Sequence, residues 1–290
     1  MPNTIALSKN YINLLDEVYK KASLTSVLDS DPTLAKAGAN ANEILIPKLS
    51  MDGLGDYDRN SGYTKGDVTL TYETVAFNYD RGRKFEVDTM DNEETAEVAF
   101  GRLAGEFLRT KVAPEGDAFT FATLAGIANI SKVSAGATLA DGEAVMGALK
   151  VGNDQMDEDE VPEEGRYLFI TPTNLSAIKA LDTTKSRELL DGFAGIIKVP
   201  QSRFYTAIKL NSGKDGETAG GYEKAEGGKD INFMIVHKPA VIKFNKHTAS
   251  DIITPEANQN SDAWMQKYRK YGLVDAYENK VAGIYLHHKA

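Results

Sequence analysis

The chain has 290 residues, 42% hydrophobic and 26% charged, enough for one large domain or two modest ones and unlike a disordered chain, a collagen or a coiled-coil rod. Without cysteine it has no disulfide, thiolate metal site, iron–sulfur cluster or cysteine nucleophile. Thirty-three basic residues against 42 acidic ones leave a net charge of −9, the wrong sign for tight sequence-independent binding of nucleic acid. Apolar runs are too short to span a membrane, and Met1–Asn10 shows no signal pattern, so the chain reads as soluble and made in the cytoplasm.

Leu14, Leu15, Val18, Ala22 and Thr25 recur at helical spacing and predict a helix from Tyr11 to Leu28, with Ser8 as its cap and Asp31-Pro32 as its stop. Such a helix either packs on the core or serves as an arm on a neighbouring subunit. Asn42 to Asp88 reads as extended. Gly53, Gly55, Gly62 and Gly66 punctuate a polar stretch that predicts an exposed hairpin tip. Val68, Leu70 and Tyr72 share one strand face. From Val75 the parity changes, and Phe77, Tyr79, Phe85 and Val87 follow on the odd face. This predicts one long β-arm bent by a bulge and apolar on one side.

Asp91–Glu94 supply caps and negative charge for the strongest helical segment, which carries Phe100, Leu103, Ala104, Phe107 and Leu108 and resumes after Pro114 with Phe119, Phe121 and Leu124. A kink near Pro114 is expected. Another helix is predicted over Asp141–Gln155, then an acidic cluster from Asp154 to Glu164, read as a solvated helix end. Tyr167–Ile170 and Ile196–Val199 are short strands, with a helix capped by Asn174 between them. Ser212–Asp230 reads as a mobile loop. Ile231–Val236, Ala240–Phe244, Leu273–Tyr277 and Ala282–His287 are further strands.

A catalytic constellation does not emerge. His237, His247, His287 and His288 form no metal-ligating pair on a helix, and adjacent His287 and His288 point to opposite strand faces. Gly53-Leu54-Gly55 opens no helix, and neither a phosphate-binding loop nor a nucleophile elbow is present. Asp52, Asp56 and Asp58 cluster as hard-cation ligands do, but lack the spacing of a calcium loop. Arg81-Gly82-Arg83-Lys84 is the densest basic group, suited to contact with a carboxylate or to keeping an edge strand from pairing wrongly. The unusual feature is architectural: a one-sided β-arm needs a surface to lie on.

Pro114-Glu115-Gly116-Asp117-Ala118, followed by Phe119 and Phe121-Ala122-Thr123-Leu124-Ala125, resembles the end of the spine helix in tailed-bacteriophage major capsid proteins. Gly195 to Phe204, with Val199-Pro200-Gln201-Ser202-Arg203-Phe204 at its end, resembles a second segment of that family. Lys238-Pro239-Ala240-Val241, Tyr271 to Lys280 and Ala282 to Tyr285 resemble its later strands. The pieces run in order over most of the chain. At Gly116 the family more often has an aliphatic residue.

The resemblance implies an α+β protein of the Hong Kong ninety-seven type capsid fold. It implies an N-terminal arm (1–40), an extended β loop (41–88), a spine helix with peripheral domain (89–136), an axial α/β domain (137–242), a returning peripheral hairpin (243–280) and a final axial strand (281–290). The implied function is self-assembly into the pentamers and hexamers of an icosahedral shell enclosing double-stranded DNA without specific binding. A separate scaffolding protein and a portal are implied partners, the virion capsid the location, and the host cytoplasm the place of assembly. No enzyme activity, cofactor or metal is implied. Subunit contacts would fall on the extended loop and arm at Tyr57, Tyr63, Leu70, Tyr72, Phe77, Tyr79, Arg81, Arg83, Tyr11 and Leu15. Some relatives join subunits by Lys–Asn isopeptide bonds, for which Lys65 and Asn258 or Asn260 have the required side chains, although no shuttling carboxylate is apparent. Two alternatives stand beside this reading: an encapsulin-like compartment shell, and a metal-dependent or carbohydrate-active enzyme using the Asp52, Asp56 and Asp58 loop.

Overall fold

The computed structural model describes residues 23–30, 36–37, 43–94, 102–132 and 136–290. A short strand, β1 (Lys36–Ala37), joins the longer β2 (Glu43–Met51) and β3 (Val68–Ala76) in an antiparallel sheet of order β1-β2-β3. The next strand, β4 (Tyr79–Asp88), belongs elsewhere. It pairs with the far side of a long hairpin, β11 (Val241–Ile253) and β12 (Ala263–Ala276), giving a sheet of order β11-β12-β4. The parity change at Val75 is therefore not a bulge in one arm but the passage between two sheets. Asn78 makes the transition: its Nδ2 donates to the Val274 carbonyl at 2.7 Å and its Oδ1 accepts from Val274 N at 3.1 Å, replacing a ladder pair where the chain leaves one sheet for the other.

Of the expected strand Ala240–Phe244, Ala240 closes a 3-10 turn and Val241–Phe244 form only the start of β11. The rest of that strand was illegible because Asn245–Ser250 is polar and exposed or half-exposed, with no apolar alternation; only pairing with β12 fixes it. A register shift between Asn245 and His247 accommodates the twist of this long ribbon.

Helix α1 (Thr89–Glu94) follows β4. Helix α2 (Leu103–Phe107) runs through a π turn at Leu108–Val112 into α3 (Ala113–Gly126). Pro114 has no N–H for the carbonyl four residues back, and the wider π turn just before it absorbs that misfit. The expected kink thus has a defined form. Helix α3 buries residues around its circumference, including Pro114, Glu115, Asp117, Thr120, Phe121 and Leu124, as a core helix does.

A five-stranded mixed sheet is ordered β5-β13-β10-β6-β7, from β5 (Ser131–Lys132), β6 (Arg166–Ile170), β7 (Gly195–Lys198), β10 (Ile231–His237) and β13 (Ile284–His288). Strand β10 is central and buried at every position, which explains its apolar run Phe233–Val236. One face, with Leu168, Ile170, Phe233, Ile235 and Tyr285, packs on Val145 and Leu149 of α4 (Gly142–Glu158) and on α5 (Pro172–Leu181) and α6 (Thr184–Asp191). The other, with Phe169, Met234, Val236, Ile284 and Leu286, packs on Phe121, Leu124 and Phe204. Asp141 caps α4 by accepting from Ala144 N at 2.8 Å. Asn174 is not the cap of α5: Pro172 opens that helix and Thr171 precedes it, while Asn174 is buried and donates to the Asn232 carbonyl.

The segment 212–230, expected to be a mobile loop, carries a strand: β8 (Ile208–Leu210) and β9 (Tyr222–Lys224) form a hairpin. Of the predicted helix over Tyr11–Leu28, residues 11–22 lie outside the described residues, and Ser26–Leu28 form a single 3-10 turn with Leu28 fully buried.

Candidate assembly surface

Strands β2 and β3 pair from Glu43↔Ala76 to Met51↔Val68, and residues 52–67 form the tip. At the root, Ile44, Ile46 and Val75 point into a core with Ile242, Phe244 and Leu273. Farther out, the opposite face is apolar and open. Register places Pro47 across from Tyr72, Leu49 from Leu70 and Met51 from Val68, so these side chains form one stripe. Leu49, Met51, Val68, Leu70 and Tyr72 are all more than half exposed, as are Leu54, Tyr57 and Tyr63 on the tip. A two-stranded ribbon alone is marginal in water, and a contiguous exposed apolar patch marks an interaction surface.

The tip is ordered by its polar groups. Asp52 Oδ2 accepts from Asp67 N at 2.8 Å, and Asp58 Oδ1 accepts from Asn60 N and Ser61 N at 2.6 and 2.9 Å. Those two amides, Ser61 first, lower the Asp58 carboxyl below its usual range. Gly62, at φ +83°, closes the turn, and Tyr57 meets Tyr63 edge-on at 4.8 Å. Asp52 and Asp58 are thus engaged with backbone amides. Among the described residues, no three acidic or histidine side chains gather as a metal site would require.

Tyr57, Tyr63, Leu70 and Tyr72 lie together on the exposed hairpin. Phe77, in the link after β3, and Tyr79, Arg81 and Arg83, on β4, do not. Tyr79 is buried, its hydroxyl donating to Glu115 Oε1 at 3.2 Å and its ring 4.9 Å from that of Phe119; burial and the Glu115 charge push its pKa upward. Arg81 Nε donates to Glu115 Oε1 at 2.7 Å, and its Nη2 reaches the Gly221 carbonyl. Arg83 donates to the Thr218 carbonyl at 2.9 Å, tying β4 to the β8–β9 hairpin. Phe77 stacks on Tyr271 at 4.9 Å. These four make contacts within the chain, because after Ala76 it leaves the exposed hairpin for another sheet. Tyr11 and Leu15 lie outside the described residues.

The two sequence segments singled out earlier meet in the interior. Asp117 is fully buried and Arg203 nearly so, with Nη1 2.9 Å from Asp117 Oδ2. Asp117 also accepts from Ser23 Oγ, Leu24 N, Thr25 N and Thr25 Oγ1 at 2.8–3.1 Å. Lys243 Nζ donates to Thr25 O at 2.8 Å and pairs with Asp29 at 2.8 Å. The carboxylate thus gathers α3, the segment after β7 and residues 23–25 around one point, and a charge this deep persists only when so fully satisfied. Phe121 and Phe204 meet edge-on at 4.8 Å beside it. Sequence reasoning did not assign Thr25, Asp117 and Arg203 these roles. The available signal was a lone carboxylate in an apolar helix and a lone arginine between Pro200 and Phe204.

Three further polar residues singled out in the sequence hold local structure. Asp157 pairs with buried Arg166 at 2.7 Å. His287 stacks on Phe233 at 4.9 Å and meets Asn232 Nδ2 through Nδ1 at 3.0 Å; burial and His288 lower its pKa to about 4. Asn258 donates to Ser261 Oγ and the Ala263 carbonyl, holding the β11–β12 turn.

No protein-family model matches the sequence, and no curated protein does. Solved structures do. A structure from Mycobacterium phage Che8 matches 99% of this chain and 96% of its own at TM-score 0.64 and 13% identity. The capsid structure of the cyanophage P-SCSP1u matches 98% and 93% at TM-score 0.64 and 14% identity. The mature capsid of bacteriophage PhiM1 matches 98% and 92% at TM-score 0.64 and 11% identity. The chain has the phage capsid fold. At such identity the likeness lies in element order and packing.

Proposed function

We propose that this chain is the major capsid protein of a tailed bacteriophage, a structural protein rather than an enzyme. The observation that carries this reading is a hairpin whose outer face is apolar and uncovered on a chain with the phage capsid fold from end to end. Covering that face with an adjacent copy, around rings of five and six, builds a closed shell from repeated contacts. The loop residues Tyr57, Tyr63, Leu70 and Tyr72 make those contacts. The axial region is the five-stranded sheet with α4, α5 and α6; the peripheral region is the β11-β12-β4 sheet with the spine helix. The net charge of −9 suits a wall that encloses DNA without gripping it. Assembly proceeds in the host cytoplasm with a scaffolding protein and a portal, and the product is the virion capsid. Electron microscopy and light scattering on the purified chain, alone and with a candidate scaffolding protein, test this. Rings, tubes or hollow shells are expected; a compact monomer under every condition would overturn it.

A further inference from the structure

Gly116 lies inside α3, where glycine costs roughly 1 kcal/mol relative to alanine. Close packing does not require it: the nearest atom to a Cβ placed there is Lys270 Nζ, at 3.9 Å. The glycine leaves open a cavity of about 170 Å³ whose lining includes Tyr79, Phe119, Lys243, Asn245 and Lys270. Among the described residues, the charges around it pair off with one cation left over. Glu115 is matched by Arg81 at 2.7 Å, Asp117 by Arg203 at 2.9 Å and Asp29 by Lys243 at 2.8 Å. Lys270 is the remaining cation. Among the described residues no carboxylate stands within ion-pair distance of it, and its Nζ lies 6.0 Å from the centre of the Tyr79 ring. Burial first, and then Lys243, lower its pKa, while the charges of Asp29 and Asp117 act against them without cancelling the shift. Apolar walls weaken screening, so a half-buried ammonium facing a cavity beside a second lysine attracts an anion strongly.

We propose that this cavity is an oxyanion site, in which a phosphate or carboxylate group pairs with Lys270 and is steadied by the field of Lys243. The group comes either from free inorganic phosphate or from a carboxylate of a second copy of this chain. The site stands on this chain's own cavity and charges and does not depend on the capsid reading, because free phosphate tests it in a chain that never assembles.

The test titrates inorganic phosphate against chloride at constant ionic strength into the full-length chain, Lys270→Met and Gly116→Leu, reading the unfolding midpoint. In parallel, acylation of the Lys270 amine in the unsubstituted chain is followed by peptide mass spectrometry, which needs no variant to fold. With free phosphate as the ligand, the midpoint rises and Lys270 labels about tenfold more slowly at ten times the dissociation constant, and both variants respond to phosphate only as to chloride. With a neighbour's carboxylate, phosphate is inert and Lys270 is protected only in the assembled form. Labelling at one rate with or without phosphate and in every oligomeric form overturns the site. So does a full phosphate response in Lys270→Met.

Discussion

Replacing Asp117 with asparagine tests the interior junction most directly. The change keeps the shape but removes the charge, and it turns one acceptor oxygen into a donor that faces other donors. Two contacts at that carboxylate come from the buried Thr25 and one from Arg203, which is only 2% exposed. Breaking a buried ion pair by removing one partner costs about 3–5 kcal/mol, because the other charge is stranded. For a chain of this size that lowers the thermal midpoint by roughly 10 °C. Urea unfolding followed through the single tryptophan, Trp264, measures the loss. Hydrogen exchange at the Leu24 and Thr25 amides, which donate to Asp117, reads the local consequence. The double variant Asp117→Asn/Arg203→Met removes the stranded charge. It is expected to be more stable than the sum of the single losses by about 2 kcal/mol. Strict additivity, or an Asp117→Asn loss below about 1 kcal/mol, would refute the argument that the carboxylate and guanidinium sustain each other.

Three further outcomes follow from the same structure. His287 is buried neutral, with a pKa of about 4 against 6.5 unfolded, so its stabilising contribution is whole above pH 6.5 and is lost as pH falls toward 4. The loss is on the order of 2–3 kcal/mol, and the urea midpoint of His287→Asn should fall less steeply over that window. Leu70→Asp on the exposed hairpin face should leave the unfolding midpoint within about 0.5 kcal/mol yet abolish higher-order particles in light scattering; normal particles would place the contact elsewhere. In α4, a Cβ at Gly152 would sit 2.8 Å from the Tyr285 ring, which is fixed in the core. Gly152→Val should therefore cost about 1–3 kcal/mol in urea unfolding, whereas a neutral result would mean that α4 can move off the sheet.

Elements whose burial is regular were legible in the amino-acid sequence. Apolar runs marked β6, β7 and β10, and a cap with helical periodicity marked α4, because there a local pattern and the final environment coincide. It also marked the exposed hairpin, through Val68, Leu70 and Tyr72 on one strand face. Only the tertiary structure decided where that hairpin ends. Val75 and Tyr79 have the same parity and both are buried, and what separates them is which partner strand each meets. The polar half of β11 was hidden for the same reason, since its strand character comes from hydrogen bonds to β12 and not from its own side chains. Asp117 is the clearest case. Its neighbours in sequence show a carboxylate in an apolar helix, but the groups that make its burial tolerable lie 86 to 94 residues away. Local sequence records the pattern of a segment, whereas the balance of a buried charge depends on donors that only the folded chain brings together.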